Sequence, residues 1–171
     1  MKTLLISSSL SKNSRSFILC QHVSQILASK GNETEIIDAR NIPLQPCHRE
    51  KSYEMKQLEK KIGSCDNIII GMGVHCYSVN DSLKILLDTC FSEATGKFYG
   101  ILCAAGGEKS FLSITHLSQI CMHEWHMIQL PRIVYATKND FNSDHISSKE
   151  LIERIEIFTN EFNTIGKKLL D

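Results

Sequence analysis

Between Ser7 and Ser16 the chain reads Ser7-Ser8-Ser9-Leu10-Ser11-Lys12-Asn13-Ser14-Arg15-Ser16, a run of hydroxyl donors with two cations. Hydroxyls, unpaired backbone N–H groups and the positive end of a helix dipole all attract oxyanions. The loop has neither the Gly-x-x-x-x-Gly-Lys of triphosphate loops nor the Gly-x-Gly-x-x-Gly of dinucleotide folds, so a small monophosphate suits it best. Serine and asparagine also cap helices, and the loop alone leaves a plain capping turn open. A second stretch, Gly73-Val74-His75-Cys76-Tyr77-Ser78-Val79-Asn80, carries an imidazole and a thiol. A third, Ala104-Ala105-Gly106-Gly107, offers nearly bare backbone for close approach. His75 reads either as a group tuning a bound ligand or, preferably, as a solvent-facing histidine. Cys76 reads as a redox-sensitive thiol or, more simply, as a small loop residue.

The elements around these stretches explain how they would meet. Thr3-Leu4-Leu5-Ile6 is a short apolar strand, and from Phe17 apolar residues recur at helical spacing through Val23, Ile26 and Leu27. Thr34–Asp38 reads as a second strand, and Met55, Leu58 and Ile62 mark an amphipathic helix. Asn67–Met72 is apolar without alternation, as expected for a central parallel strand covered on both faces. A helix starts at Leu83, a fourth strand spans Lys97–Cys103, and a fourth helix holds Phe111, Ile114, Leu117, Ile120 and Cys121. Ile133–Ala136 is the fifth strand, with Pro131 near its beginning. The last helix opens at a capping-box pattern, Ser147-Ser148-Lys149-Glu150. Strands alternating with helices predict one α/β domain over residues 1–171 with an open, mostly parallel sheet. Ligands of such sheets bind at the carboxyl ends of the strands, which is where all three stretches fall.

Lysine plus arginine equals aspartate plus glutamate, at 19 each, so no overall field favours nucleic acid or an anionic membrane. The chain starts directly on a strand without an apolar leader, and a cytoplasmic location is expected. None of the seven cysteines forms a Cys-x-x-Cys pair, and no metal site is expected. The histidines and Trp125 in and after the fourth helix read as packing or subunit contacts.

Across these stretches the chain resembles the NAD(P)H-dependent FMN reductase family of flavodoxin-like proteins, most of all the flavin reductases of bacterial sulfonate-use systems. Their first loop runs roughly Gly-Ser-x-Arg-x-x-Ser-x-Ser; Ser9, Ser14 and Ser16 match it and Ser11 stands for the arginine. Their second segment runs Thr-Pro-x-Tyr-x-x-Ser-x-x-Gly-x-Leu-Lys-x-x-Leu-Asp. Ser78, Leu83, Lys84, Leu87 and Asp88 fit it, while Gly73, His75 and Asp81 replace the proline, tyrosine and glycine. The resemblance implies a flavodoxin-like three-layer sandwich with a five-stranded parallel sheet in the order 2-1-3-4-5. It implies that Ser9, Ser11, Asn13, Ser14, Arg15 and Ser16 bind the FMN phosphate. Gly73, Val74, His75, Cys76, Tyr77 and Ser78 would run under the isoalloxazine, with Ala105, Gly106 and Gly107 at its other edge. FMN and NAD(P)H are the implied cofactors, a small-molecule electron acceptor the substrate, and a homodimer or homotetramer the assembly. Such chemistry needs no protein acid or base, so no catalytic residue is named. The alternatives are a quinone or azo-compound reductase, a non-enzymatic electron carrier, or a partner-binding module on the same fold.

Overall fold

The computed structural model describes residues 1–170. Strand β1 (Lys2–Ser7) leads into helix α1 (Arg15–Ser29), edge strand β2 (Glu33–Asp38), helix α2 (Tyr53–Ser64) and central strand β3 (Asn67–His75). There follow β4 (Ser78–Val79), α3 (Asp81–Cys90), β5 (Phe98–Ala104), α4 (Ile114–Trp125), β6 (Ile128–Gln129) and β7 (Val134–Ala136). A small hairpin, β8 (Phe141–Asn142) and β9 (His145–Ile146), precedes the long helix α5 (Lys149–Lys168).

The main sheet runs β2-β1-β3-β5, and β6 and β7 both pair with the far edge of β5. These pairings are parallel, and the order is the flavodoxin-like 2-1-3-4-5 with the fifth strand in two pieces. Pro131 lies between those pieces: Phe98 and Tyr99 pair with Ile128 and Gln129, and Leu102–Ala104 pair with Val134–Ala136. Because proline lacks a ladder donor, the strand is interrupted there.

Each face of the sheet has its own core. Ile68, Ile70 and Met72 pack with Met55, Leu58 and Ile62 of α2, Leu83 and Leu86 of α3, and Leu117 of α4. On the other face Leu5, Ile69 and Leu102 meet Leu19 and Val23 of α1 and Ile155, Phe158 and Phe162 of α5. Two glycines are set by this second layer. A Cβ at Gly71 would stand 2.6 Å from the Cys20 sulfur and one at Gly100 would stand 2.6 Å from the Phe158 ring. Glycine at these positions lets α1 and α5 lie against the strands.

Three expectations are corrected. Gly73–Asn80 is no open loop: β3 continues to His75, and the chain returns along it as antiparallel β4. Phe111 lies ahead of α4 and is half exposed, since α4 begins only at Ile114 and buries Ile114, Leu117, Cys121 and Trp125. Ser148, not Ser147, caps α5 through the N–H of Leu151, so Glu150 falls one position short of closing a capping box. A capping box does occur at Thr137, whose hydroxyl and N–H both bond Asp140.

Candidate functional site

At the carboxyl end of β1 the serines divide into two groups. Ser14 caps α1 by accepting from the N–H of Phe17 at 3.1 Å. The hydroxyls of Ser7, Ser14 and Ser16 form a buried triangle of 3.1–3.4 Å contacts. Ser9, half buried, accepts only from the N–H of Ser11, and Ser11, Lys12 and Asn13 are exposed. With Phe17 capped and Ile18 bonded to Ser14 O, the N–H groups of Arg15 and Ser16 have no partner among the described residues. These are the helix-start donors an anion uses. The Arg15 guanidinium lies over the Phe141 ring, 5.9 Å from its centre, and thus leans on the β8–β9 hairpin. Lys12, Asn13 and Ser14 line a cavity of about 520 Å³ beside Arg40, Gln21, Ser143 and Asp144.

Ser8 belongs to a network that the sequence did not reveal. Its hydroxyl donates, shared at 2.9 Å, towards Gly71 O and the Asn80 side-chain oxygen. The same Asn80 oxygen accepts from the N–H of Gly73 at 3.0 Å, while its amide nitrogen donates to Ser8 O and Ser82 Oγ. Ser82 Oγ donates to Ser8 O at 2.6 Å. Asn80 sits where α3 would take a side-chain cap and makes none, because its amide is turned inward. All three residues are buried, so the network fixes the serine loop against β3 and α3.

The second and third stretches converge. Val74, Cys76 and Tyr77 line a cavity of about 540 Å³ with Gly106, Gly107, Glu108, Lys109, Ser110, Thr137, Lys138 and Asn139. Nothing lies within 4 Å of a Cβ built on Gly106 or Gly107, and neither has positive φ, so internal packing does not require these glycines. The open space above them, within the usual size range of small-molecule sites, fits a planar cofactor approaching bare backbone. Tyr135 holds this segment: its hydroxyl donates to Gly107 O at 2.6 Å and lies 3.0 Å from Ser110 Oγ. Its ring meets the edge of Phe111 at 5.2 Å. The N–H of Ala105, itself buried, donates to Ala136 O at 2.8 Å.

The other residues of the second stretch face elsewhere. His75 is exposed, with Nδ1 3.5 Å from Asp81. Ser78 Oγ lies 3.0 Å from His116 Nδ1 and lines a separate open groove of about 1300 Å³ with α3 and α4. Trp125 is buried against Phe91. The hairpin tip is strained. Cys76 (φ 49°) and Tyr77 (φ 59°) are both left-handed, giving a two-residue turn of type I′, in which asparagine and glycine are the favoured pair. For other L-residues this conformation costs about 1–2 kcal/mol each.

Burial separates the thiols. It pushes Cys20, where the Asp38 charge adds to it, and also Cys103 and Cys121 up to about 12. Cys47 and Cys76 are the exposed ones. Among the described residues no cluster of metal-ligating side chains occurs.

Solved structures share this architecture over nearly the whole chain. An NADH:FMN oxidoreductase in its apo form matches with a TM-score of 0.76 at 17% identity, covering 93% of this chain and 88% of that one. The flavoenzyme NAD(P)H:(acceptor) oxidoreductase of Paracoccus denitrificans matches at 0.72 and 14% identity, covering 95% and 97%. A flavodoxin from the Archaea matches at 0.70 and 12%, covering 98% and 99%. Identities this low show a common fold. No curated protein sequence matches the chain. The family model of NADPH-dependent FMN reductases matches residues 1–142, from β1 through β8 and so across the serine loop, the hairpin and the glycine segment, and the chain belongs to that family.

Proposed function

We propose that this chain is an NAD(P)H-dependent FMN reductase that holds FMN between the serine loop, the β3–β4 hairpin and the glycine segment. The observation that carries the reading is the open space above Gly106 and Gly107 in a cavity walled by Val74, Cys76 and Tyr77. Bound FMN would supply the hydride and electron chemistry. The chain's share is to bind and orient. The free N–H groups of Arg15 and Ser16 and the hydroxyl of Ser9 hold the phosphate, and the backbone at Val74 and Gly106–Gly107 borders the ring. Ser14 and Ser16, tied to Ser7, shape the loop that presents those donors. NAD(P)H is the donor that the family's name implies. A homodimer and a cytoplasmic location are part of the same proposal. The unpaired thiols favour a reducing compartment.

The test is a visible spectrum of the protein after FMN titration and desalting, then anaerobic NADPH. Retained yellow colour that bleaches supports the reading. Colour that NADPH leaves untouched favours an electron carrier. Absence of both binding and turnover with free flavin overturns it in favour of a partner-binding module.

A further inference from the structure

Arg40 lies outside the serine loop, yet it is the group that holds the loop's middle. It belongs to the short 3-10 turn Ala39–Asn41 that follows β2. Asp38, the last residue of β2, pairs with Ser7 at the point where the loop leaves the sheet, and its carboxylate accepts from the backbone N–H of Arg40 at 3.0 Å. The same carboxylate takes the guanidinium through Nε at 2.9 Å and through Nη2. Nη1 donates to Lys12 O at 2.9 Å, and the guanidinium carbon stands 4.8 Å from the centre of the Phe17 ring. One planar cation thus joins the end of β2, the middle of the serine loop and the first turn of α1. Among the described residues no other hydrogen bond reaches Leu10–Asn13 from outside the loop. A trans peptide is planar with its C=O and N–H opposed, so fixing Lys12 O also fixes the direction of the Asn13 N–H, a donor without a partner among the described residues. The Arg40 and Asp38 side chains are 28% and 11% exposed, so the pair is better shielded than an open surface bridge. With its fork committed to Asp38 and Lys12, the guanidinium has its charge balanced where it stands, and what it gives the loop is placement.

We infer that Arg40 is a positioning residue for the phosphate end of the flavin site: held by Asp38, it sets the Lys12–Asn13 peptide beside the N–H groups of Arg15 and Ser16, and so lets the site tell FMN from flavin lacking the phosphate. The inference rests on the flavin reading above. Arg40 touches no reacting atom and moves no proton. A group that acts through the peptide it holds differs from a plain cation in two ways. Lysine keeps the charge, but it cannot grip the carboxylate twice, reach Lys12 O and lie against Phe17 together. Removing the Asp38 charge strips Arg40 of its anchor, whereas for a cation that attracted the phosphate directly the same change would strengthen the attraction.

The experiment measures Kd for FMN and for riboflavin, which is FMN without its phosphate, by quenching of flavin fluorescence. It compares the full chain with Arg40→Met, Arg40→Lys and Asp38→Asn. In all three the FMN Kd should rise about tenfold while the riboflavin Kd stays within about twofold, because one hydrogen-bonded anchor of the phosphate loop is lost. Asp38→Asn keeps an oxygen for the backbone N–H of Arg40, which spares the turn itself. Unchanged riboflavin binding reports that the fold and the ring cleft are intact. Full FMN affinity in Arg40→Lys, or tighter FMN binding in Asp38→Asn, would make Arg40 a cation on the phosphate and overturn the positioning role. Equal losses for FMN and riboflavin would make it a residue of the general fold and overturn the role as well. A wild-type chain that binds FMN no more tightly than riboflavin would instead overturn the phosphate assignment beneath the inference, and one that binds neither would overturn the flavin reading.

Discussion

The two ends of the proposed flavin site are built in opposite ways. At the serine loop the buried hydroxyls are already satisfied inside the protein, and only the N–H groups of Arg15 and Ser16 and the stretch from Ser9 to Asn13 are left to a ligand. Ser7, Ser14 and Ser16 bond one another, and Ser8, Asn80 and Ser82 lock the loop to β3 and α3. At the cleft between the hairpin and the glycine segment the backbone is bare, the turn is strained, and Tyr77 and Cys76 are exposed. The difference teaches where each end gets its precision. An anion site works by presenting a few fixed N–H donors, which a buried network can hold in place before the ligand arrives. A ring site works by shape, and shape needs space left open plus a few tethers such as the Tyr135 hydroxyl on Gly107.

The largest effect should come from breaking the network. Asn80→Ala leaves the N–H of Gly73 and the Ser8 and Ser82 groups short of partners in a buried setting, at a cost of about 3 kcal/mol or more. Urea denaturation monitored by circular dichroism measures it, and a loss below about 1 kcal/mol would mean that water readily replaces the amide.

Two glycines sharpen the contrast. Gly71→Ala drives a Cβ to 2.6 Å from the Cys20 sulfur and 3.2 Å from Ser16 O, so it should cost about 1–3 kcal/mol of stability by overpacking. Gly107→Ala meets nothing within 4 Å, and its extended backbone accepts any residue. Its stability should stay within about 0.5 kcal/mol of wild type. Its FMN Kd should nevertheless rise about tenfold, since the methyl occupies the space the ring would use. Equal effects of the two substitutions on stability would erase the distinction between a glycine kept for packing and one kept for a ligand.

The serines divide in the same manner. Ser14→Ala removes the cap on Phe17 and should cost about 1 kcal/mol in denaturation. Ser9→Ala loses one bond to an exposed N–H, so its stability should hold while FMN affinity falls about tenfold, a lost hydrogen bond to a charged group. If both act on stability alone, Ser9 is no phosphate ligand.

How much of this was legible in the sequence follows from what each part depends on. The strand-loop-helix at the N-terminus and the unbroken run of β3 were readable because apolar spacing reports burial directly. The hairpin was not. Cys76-Tyr77 carries none of the glycine or asparagine that announces a type I′ turn, so the sequence pattern ends β3 at Met72. The split of the fifth strand was half visible in Pro131, but Ile128-Gln129 is too short to show periodicity. Asn80 was the hardest to read. An asparagine before a helix signals a cap, and only the fold shows that its side chain is turned inward to Ser8. Tyr135, read as a strand residue, owes its role to Gly107, twenty-eight residues away in sequence.

The smallest effect asks the cleft to report its own occupancy. Thiolate is the form that attacks a disulfide reagent, and burial holds Cys20, Cys103 and Cys121 at about 12, so near pH 8 they carry almost no thiolate. Cys65 and Cys90 are also buried and raised. Labelling should therefore show two fast thiols, Cys47 and Cys76, with the remaining five reacting only on unfolding. FMN should slow Cys76, which lines the cleft, by a few-fold and leave Cys47, in the separate groove, unaffected. Cys76→Ser and Cys47→Ser identify which phase is which. Protection of neither thiol would place the flavin away from the hairpin, and protection of both would point to closure of the whole face rather than occupancy of the cleft.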